Sequence, residues 1–235
     1  MLGGYIVQTN TSPKLHKRNI HEDISWLKLL PVATDNEYLM SRKVSNELIK
    51  RYEIHEAQYG IIVPLYNNGL KGAQVRRYDN RPRYSFIGRR TPLWPMSMLS
   101  LVRRDEPLFV TEGVFGALRA ISAGMKAVSV MGANSFRDAI PYLSGFNVIL
   151  AFDNDMPGIT GAAKILTILK RARAVTPGVA ADELNIDEWK NITNERNITR
   201  SINMIAMPTC NVKMVTTSVN RFFKSWQRRT NMKTS

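Results

Sequence analysis

The 235-residue chain has a single cysteine, Cys210. One thiol excludes a disulfide framework and a zinc ribbon built from this chain, and it fits a reducing, cytoplasmic setting. Long apolar runs are also missing. None approaches the roughly 18 residues of a membrane span, and residues 1–30 hold no apolar stretch of the signal-peptide kind, so the chain is not expected to insert into a membrane. Acidic residues are scarce: Asp plus Glu is 19 against 33 for Lys plus Arg, a formal charge of +14. An excess of this size points to a polyanionic partner. Nucleic acid comes first and an anionic membrane surface second, set against a basic surface that is merely soluble. Histidine is rare, and His16, His21 and His55 lie in polar or helical surroundings where a solvent-facing role is expected. No Ser–His–Asp or Cys–His arrangement is indicated, and Met96, Met98 and Met131 read as core fillers.

What the chain does have is a change of pattern near residue 105. Residues 1–30 are polar around His16-Lys17-Arg18 and read as an arm, in which Asp23 is placed to cap a short helix stopped by Pro31. Tyr38 to Tyr52 has helical period, with Ser45 as an N-cap before Leu48, Ile49 and Tyr52. The β-branched run Gly60–Tyr66, the turn Asn67-Asn68-Gly69 and the return from Leu70 to Tyr78 predict a hairpin. Residues 71–104 carry nine Lys or Arg and one acid, Asp79, interleaved with Tyr78, Tyr84, Phe86 and Trp94. Cations for phosphates and rings for bases are what a single-stranded nucleic-acid groove requires; the competing reading is a solvated charged face over those same aromatics. The domain boundaries expected are an arm over 1–30, a basic α+β subdomain over 31–104, an α/β domain over 105–190 and a basic tail over 191–235. Residues 196–235 of that tail hold eight basic residues and no acid.

From residue 107 the chain alternates strand and helix. Strands are expected at 108–111, 127–131 and 147–152, helices at 114–123, 135–143 and 160–172, and a short last strand follows position 174. Solidly apolar strands between amphipathic helices predict a parallel sheet covered on both faces. In such sheets ligands bind beyond the carboxyl ends of the strands. Two strand ends here carry acids. Thr111-Glu112-Gly113 closes Leu108-Phe109-Val110, and Asp153-Asn154-Asp155-Met156-Pro157-Gly158 closes Val148–Phe152. Asp153 and Asp155 are two apart, which in extended backbone points both the same way. Magnesium takes hard oxygen ligands and usually keeps water and substrate phosphate, so convergent carboxylates of this kind suit a metal–triphosphate complex.

Each piece alone is weak; in this order, at this spacing and on a βαβ background they are specific. The combination resembles the Toprim domain, which has Glu-Gly after its first strand, Asp-x-Asp after a later one and a further acidic position near its end. Ala127–Gly132 is similar to that family's second strand and its glycine. The block in front narrows the resemblance. Tyr38, Leu39, Arg42, Ser45, Glu47, Ile49, Arg51 and Ile54 resemble the start of a DnaG-type primase core. Ile62-Val63-Pro64-Leu65 with Gly69 and Gly72 is similar to that core's hairpin, and Pro82-Arg83-Tyr84 to its Pro-Lys-Tyr. Bacterial primases and phage helicase-primases share this block, and the resemblance covers roughly residues 35–190.

The resemblance implies a Toprim-type parallel sheet behind a smaller basic subdomain, and short RNA made on single-stranded DNA from ribonucleoside triphosphates with Mg²⁺ or Mn²⁺. It implies Glu112, Asp153 and Asp155 as catalytic metal ligands, joined by Asp182 with Asp187 in reserve. Arg42, Arg76, Arg77 and Arg83 would contact template or nucleotide, and a separate helicase or zinc-ribbon protein is an expected partner. The chain departs from the family at several places. The acid expected four residues after the glutamate is Gly116, and Pro95-Met96 stands where a lysine is expected after Leu93-Trp94. A zinc ribbon and a helicase domain are not among these residues. Two other readings therefore stay open: a primase-derived single-stranded nucleic-acid-binding protein with altered catalysis, and a Toprim nuclease.

Overall fold

Two four-stranded sheets share one apolar core. The structure, a computed structural model, describes residues 23–132, 135–175 and 180–192; the first 22 residues of the expected arm, with His16 and His21, and the tail beyond 192 lie outside the described residues. Ser25–Leu29 forms a single 3-10 turn, with the Asp23 carboxylate accepting from the Ser25 amide at 2.9 Å. Its Leu27 is fully buried against the first sheet, so this end of the expected arm packs on the body.

The helical period over Tyr38–Tyr52 resolves into two short helices, α1 (Glu37–Ser41) and α2 (Asn46–Arg51). Asn36 caps the first and Ser45 the second, each accepting a backbone N–H three residues on. Lys43, at φ 54°, breaks the run between them. The chain then forms β1 (His55–Ala57), β2 (Gly60–Tyr66), β3 (Leu70–Arg77) and β4 (Tyr84–Gly88), an antiparallel meander. Alternation sorts their side chains. Ile61, Val63 and Leu65 enter the shared core, whereas Ile62, Ala73 and Val75 form a second small core under Leu27. His55 departs from expectation. It pairs with Ile62 inside this sheet, is buried, and its ring Nδ1 lies 2.9 Å from the Leu30 carbonyl. The cause is β1, whose three residues give no periodicity to read.

The second sheet comprises β5 (Pro107–Thr111), β6 (Ala127–Ser129), β7 (Asn147–Ala151) and β8 (Arg173–Val175), all parallel in the order β6-β5-β7-β8. Its helices are α3 (Val114–Ser122), α4 (Ile140–Leu143), α5 (Met156–Ile168) and α6 (Ile186–Ile192). Phe109, Ile149 and Ala151 face the shared core, while Leu108, Val110, Val148 and Leu150 face a core built with α4 and α5. That two-sided burial is why these strands read as unbroken apolar runs. Trp94 and Ser129 exchange backbone hydrogen bonds, covering the β6 edge with the end of the basic segment. No helix among the described residues is long and apolar enough to cross a membrane.

Arg119 ties the two halves together. It lies on α3, is only 4% exposed, and its guanidinium donates to the Leu184 carbonyl at 2.6 and 3.1 Å and to the Lys43 carbonyl at 3.1 Å. Replacing it with an apolar chain of similar length leaves both carbonyls without this donor. Arg119→Met is therefore expected to lower unfolding free energy by about 2–4 kcal/mol, read as a fall in urea midpoint at constant slope. A change below about 0.5 kcal/mol, the range of ordinary surface substitutions, contradicts this role.

Candidate active site

The strand ends open onto one cavity of about 340 Å³, lined by Glu112, Asp153, Asp155 and Asp182 together with Arg42 and Arg83. Its far wall is the inner face of the antiparallel sheet: Gln74 of β3 and Tyr84 and Phe86 of β4. Both halves of the chain are needed to form it.

Glu112 follows β5 directly, and its backbone is held in place. Its carbonyl accepts from the Ser129 hydroxyl at 3.0 Å and from the Gly132 amide at 2.8 Å. The Gly132 noted in the sequence thus fixes the glutamate's turn. Asp153 follows β7, and one of its carboxylate oxygens accepts from the Ala181 amide at 3.1 Å. Asp155 caps α5 through the Gly158 amide at 2.8 Å. Gly158 is demanded by close approach, since a Cβ there would lie 2.2 Å from the Asp153 carbonyl oxygen. Asp182 arrives on the turn after residue 180 and pairs with Arg42 at 2.5 Å. Asp187 lies elsewhere, in a groove lined also by Lys43 and Arg51.

Gly116, at the position of the missing acid, has its own physical reason. A Cβ there would sit 3.0 Å from the Ala181 Cβ and 3.2 Å from that of Thr111. The turn carrying Asp182 packs down onto α3 in that space, so the fourth carboxylate enters from the turn and not from the helix.

The arginines divide. Arg42 and Arg83 line the cavity. Arg76 is 8% exposed and stands outside the lining but on the same face of β3 as Gln74, opposite Tyr84, with its guanidinium 5.1 Å from the Tyr38 ring centroid and 5.5 Å from that of Tyr84. It also donates to the Tyr38 hydroxyl at 3.1 Å. Arg77 lies outside the lining and holds Asp79 through two hydrogen bonds, at 2.6 and 2.9 Å. Of the interleaved aromatics, Tyr84 and Phe86 reach the cavity. Trp94 is buried and donates to the Pro64 carbonyl at 3.1 Å, and the Tyr78 hydroxyl donates to Glu56 at 2.8 Å. Local sequence pattern assigns no separate role to Arg119 or Arg90. Nothing in local pattern marks a residue whose partners lie 41 to 76 positions away.

The donor set is all carboxylate oxygen, which fits a hard divalent cation such as Mg²⁺. Among the described residues no three His, Cys, Asp or Glu side chains converge closely enough to hold a metal ion by themselves. Asp155 is engaged by the start of α5, Asp153 by the Ala181 amide and Asp182 by Arg42. Mg²⁺ is ordinarily bound by one or two carboxylates, water and substrate phosphate, so an open set of this kind fits it better than a closed cage.

Residues 109–188 match the Toprim-like family. The DNA primase of Thermotoga maritima is 31% identical over 142 residues, covering 55% of this chain and 24% of that protein. The chain thus spans about a quarter of the length of this curated relative. A DNA primase domain from Pseudomonas aeruginosa superposes with a TM-score of 0.61 at 14% identity, covering 74% of this chain and 77% of that one. A DnaG primase catalytic domain bound to single-stranded DNA gives 0.58 at 18%, covering 74% and 75%. The chain has the DnaG-type primase core fold, with a Toprim-like domain in its second half. In that primase-like fold the acids sit where the parallel sheet opens, as strand order requires.

Burial holds the Asp153 carboxyl above the usual carboxylate range; nearby Asp182 and Asp155 push the same way, while the Ala181 amide and Arg83 oppose them. The folded state therefore binds this proton more tightly than the unfolded chain. Its contribution to stability is full below the ordinary carboxylate pKa and is lost as pH rises through the raised value. Asp153→Asn removes that loss and keeps an oxygen for the Ala181 amide. In chelator-treated protein the variant is expected to melt above wild type at neutral pH, with the gap closing toward about pH 4. A variant that melts lower at neutral pH contradicts the assignment.

Proposed function

We propose that this chain is a primase: it joins ribonucleotides into short RNA on a single-stranded DNA template, with a divalent cation, Mg²⁺ or Mn²⁺. The observation that carries the reading is the single cavity in which strand-end carboxylates face a wall of arginine and aromatic side chains. The likeness to the Thermotoga maritima DNA primase supports it, as does the fold shared with a primase catalytic domain bound to single-stranded DNA.

In the reaction a ribonucleotide 3′-oxygen attacks the α-phosphorus of an incoming triphosphate, pyrophosphate leaves, and the hydroxyl proton passes to solvent. Glu112, Asp153 and Asp155 would hold the cation, with Asp182 near them on its turn. Bound there, the cation supplies Lewis-acid stabilisation of the attacking and leaving oxygens. Arg42 and Arg83 at the cavity wall take phosphate charge, and Tyr84 and Phe86 offer faces to bases. Arg76 acts beside them by holding the Tyr38 and Tyr84 rings, and Arg77 serves outside the cavity lining. A separate helicase or zinc-ribbon protein would deliver the template start.

A second reading, a nucleic-acid-binding protein that has lost primer synthesis, draws on the pairing of Asp182 with Arg42 and on Gly116. A Toprim nuclease, with the same acids cutting instead of joining, is the third. Purified protein with Mn²⁺, ribonucleotides and single-stranded DNA, with and without helicase and zinc-ribbon partners, separates all three. Labelled oligoribonucleotide is expected, and Glu112→Ala and Asp153→Ala are each expected to reduce it by at least about 10²–10³-fold while retaining DNA binding. Binding without synthesis under every condition supports the second reading, and metal-dependent cutting of labelled strands the third.

A further inference from the structure

Next to the carboxylate cavity lies a second hollow that the proposed chemistry does not use. It is about 400 Å³ in volume and is lined by Arg90, Thr91, Ser135 and Arg137, with one acid, Asp138. Arg90 is fixed there. Its guanidinium stacks 4.0 Å from the Phe86 ring centroid, and one nitrogen donates to the Met131 carbonyl at 3.0 Å and to the Ser135 hydroxyl at 2.7 Å. Phe86 and Met131 also line the carboxylate cavity, so the two hollows lie on either side of one thin partition. Arg137 is exposed at the start of the turn before α4. It also stands near enough to Lys164 of α5 to add to the effect of burial, and both hold that ammonium below the usual lysine value. Two cations thus line a concave place with one carboxylate and a hydroxyl beside them, and a third cation, Lys164, stands near Arg137.

Such a place differs from a solvated charged face in two ways. One cation is oriented in advance by stacking and hydrogen bonds, which reduces the ordering cost of binding an anion. And the excess of positive charge is concave, where it acts more strongly on a ligand than the same charge spread over a flat face. A chain with backbone phosphates at regular spacing that has one nucleotide in the carboxylate cavity would carry neighbouring phosphates across this partition.

We propose that the Arg90–Arg137 hollow is a phosphate-binding subsite for the backbone of the single strand that the carboxylate cavity works on. This rests on the reading of the cavity as a nucleic-acid site and adds the direction in which the strand runs: past Phe86 and Met131, toward the turn before α4. The same chemistry would accept the phosphates of a free nucleotide, so the test has an arm for each source.

The experiment measures affinity for a fluorescent single-stranded oligodeoxynucleotide by anisotropy across a salt series. Each phosphate contact on a single strand contributes about 0.7 to the slope of log affinity against log salt. Arg137→Ala is expected to reduce that slope by about 0.7, and Arg137→Lys, which keeps the charge, to restore it. Arg103→Ala, whose guanidinium is paired with Asp105, is the control for net charge and is expected to leave the slope unchanged. A wild-type slope in Arg137→Ala, or an equal fall in Arg103→Ala, overturns the subsite. Calorimetric titration of triphosphate without DNA forms the second arm. If Arg137→Ala weakens triphosphate binding but leaves the DNA slope intact, the hollow serves the nucleotide and the strand assignment is overturned. Wild-type protein that does not bind the oligonucleotide at all defeats the parent reading of the cavity, a result distinct from an unchanged slope.

Discussion

The buried guanidinium of Arg119 is the constraint on which the working geometry depends. A buried cation has to be compensated, and here carbonyls from two distant turns do it. One of these, Lys43, is the neighbour of Arg42; the other, Leu184, is two residues beyond Asp182. Fixing those carbonyls brings Arg42 and Asp182 to the same edge of the cavity, where they pair. The same turn offers the Ala181 amide to Asp153 and closes onto Gly116. Arginine on α3, the arginine–aspartate pair and the Asp153 hydrogen bond thus behave as one linked set, joining the antiparallel half to the parallel half around the carboxylates.

That linkage gives the site its character. A generic strand-end carboxylate site needs only the parallel sheet. This one also needs β3 and β4, because Gln74, Tyr84 and Phe86 make its opposite wall. The shared core, which runs from Ile61 and Leu65 through Phe115 to Trp189, is what holds the two sheets face to face. Arg76, beside that wall between Tyr38 and Tyr84, keeps the rings in place and leaves the lining to Arg42 and Arg83. Positive charge is therefore divided: one arginine supports the wall while two face the cavity.

The parallel half was legible in the sequence because burial on both faces writes long apolar runs with acids at their ends, as in Leu108–Glu112 and Val148–Asp153. The hairpin of β2 and β3 was legible from Asn67-Asn68-Gly69. The helix expected over Tyr38–Tyr52 divides because Lys43 takes a left-handed conformation that side-chain periodicity does not record. β1 and β4 were hidden for different reasons, β1 by its shortness and β4 by a basic, partly exposed sequence whose pairing with β3 supplies its order. At the site, Glu112, Asp153, Asp155 and Asp182 reach one cavity as read from motif order, whereas Arg77 lies outside it with Asp79. The roles of Arg119 and Arg90 were invisible, since each is defined by carbonyls brought near only by folding.

Whether these carboxylates hold the cation that the chemistry needs is tested most directly by diffraction. Crystals soaked with Mn²⁺ and a non-hydrolysable ribonucleoside triphosphate would give an anomalous map of the cavity. An anomalous peak bounded by Glu112, Asp153 and Asp155, with triphosphate oxygens completing its coordination, is the predicted result. Mn²⁺ bound elsewhere in the same crystals, with no peak among those three carboxylates, would contradict it.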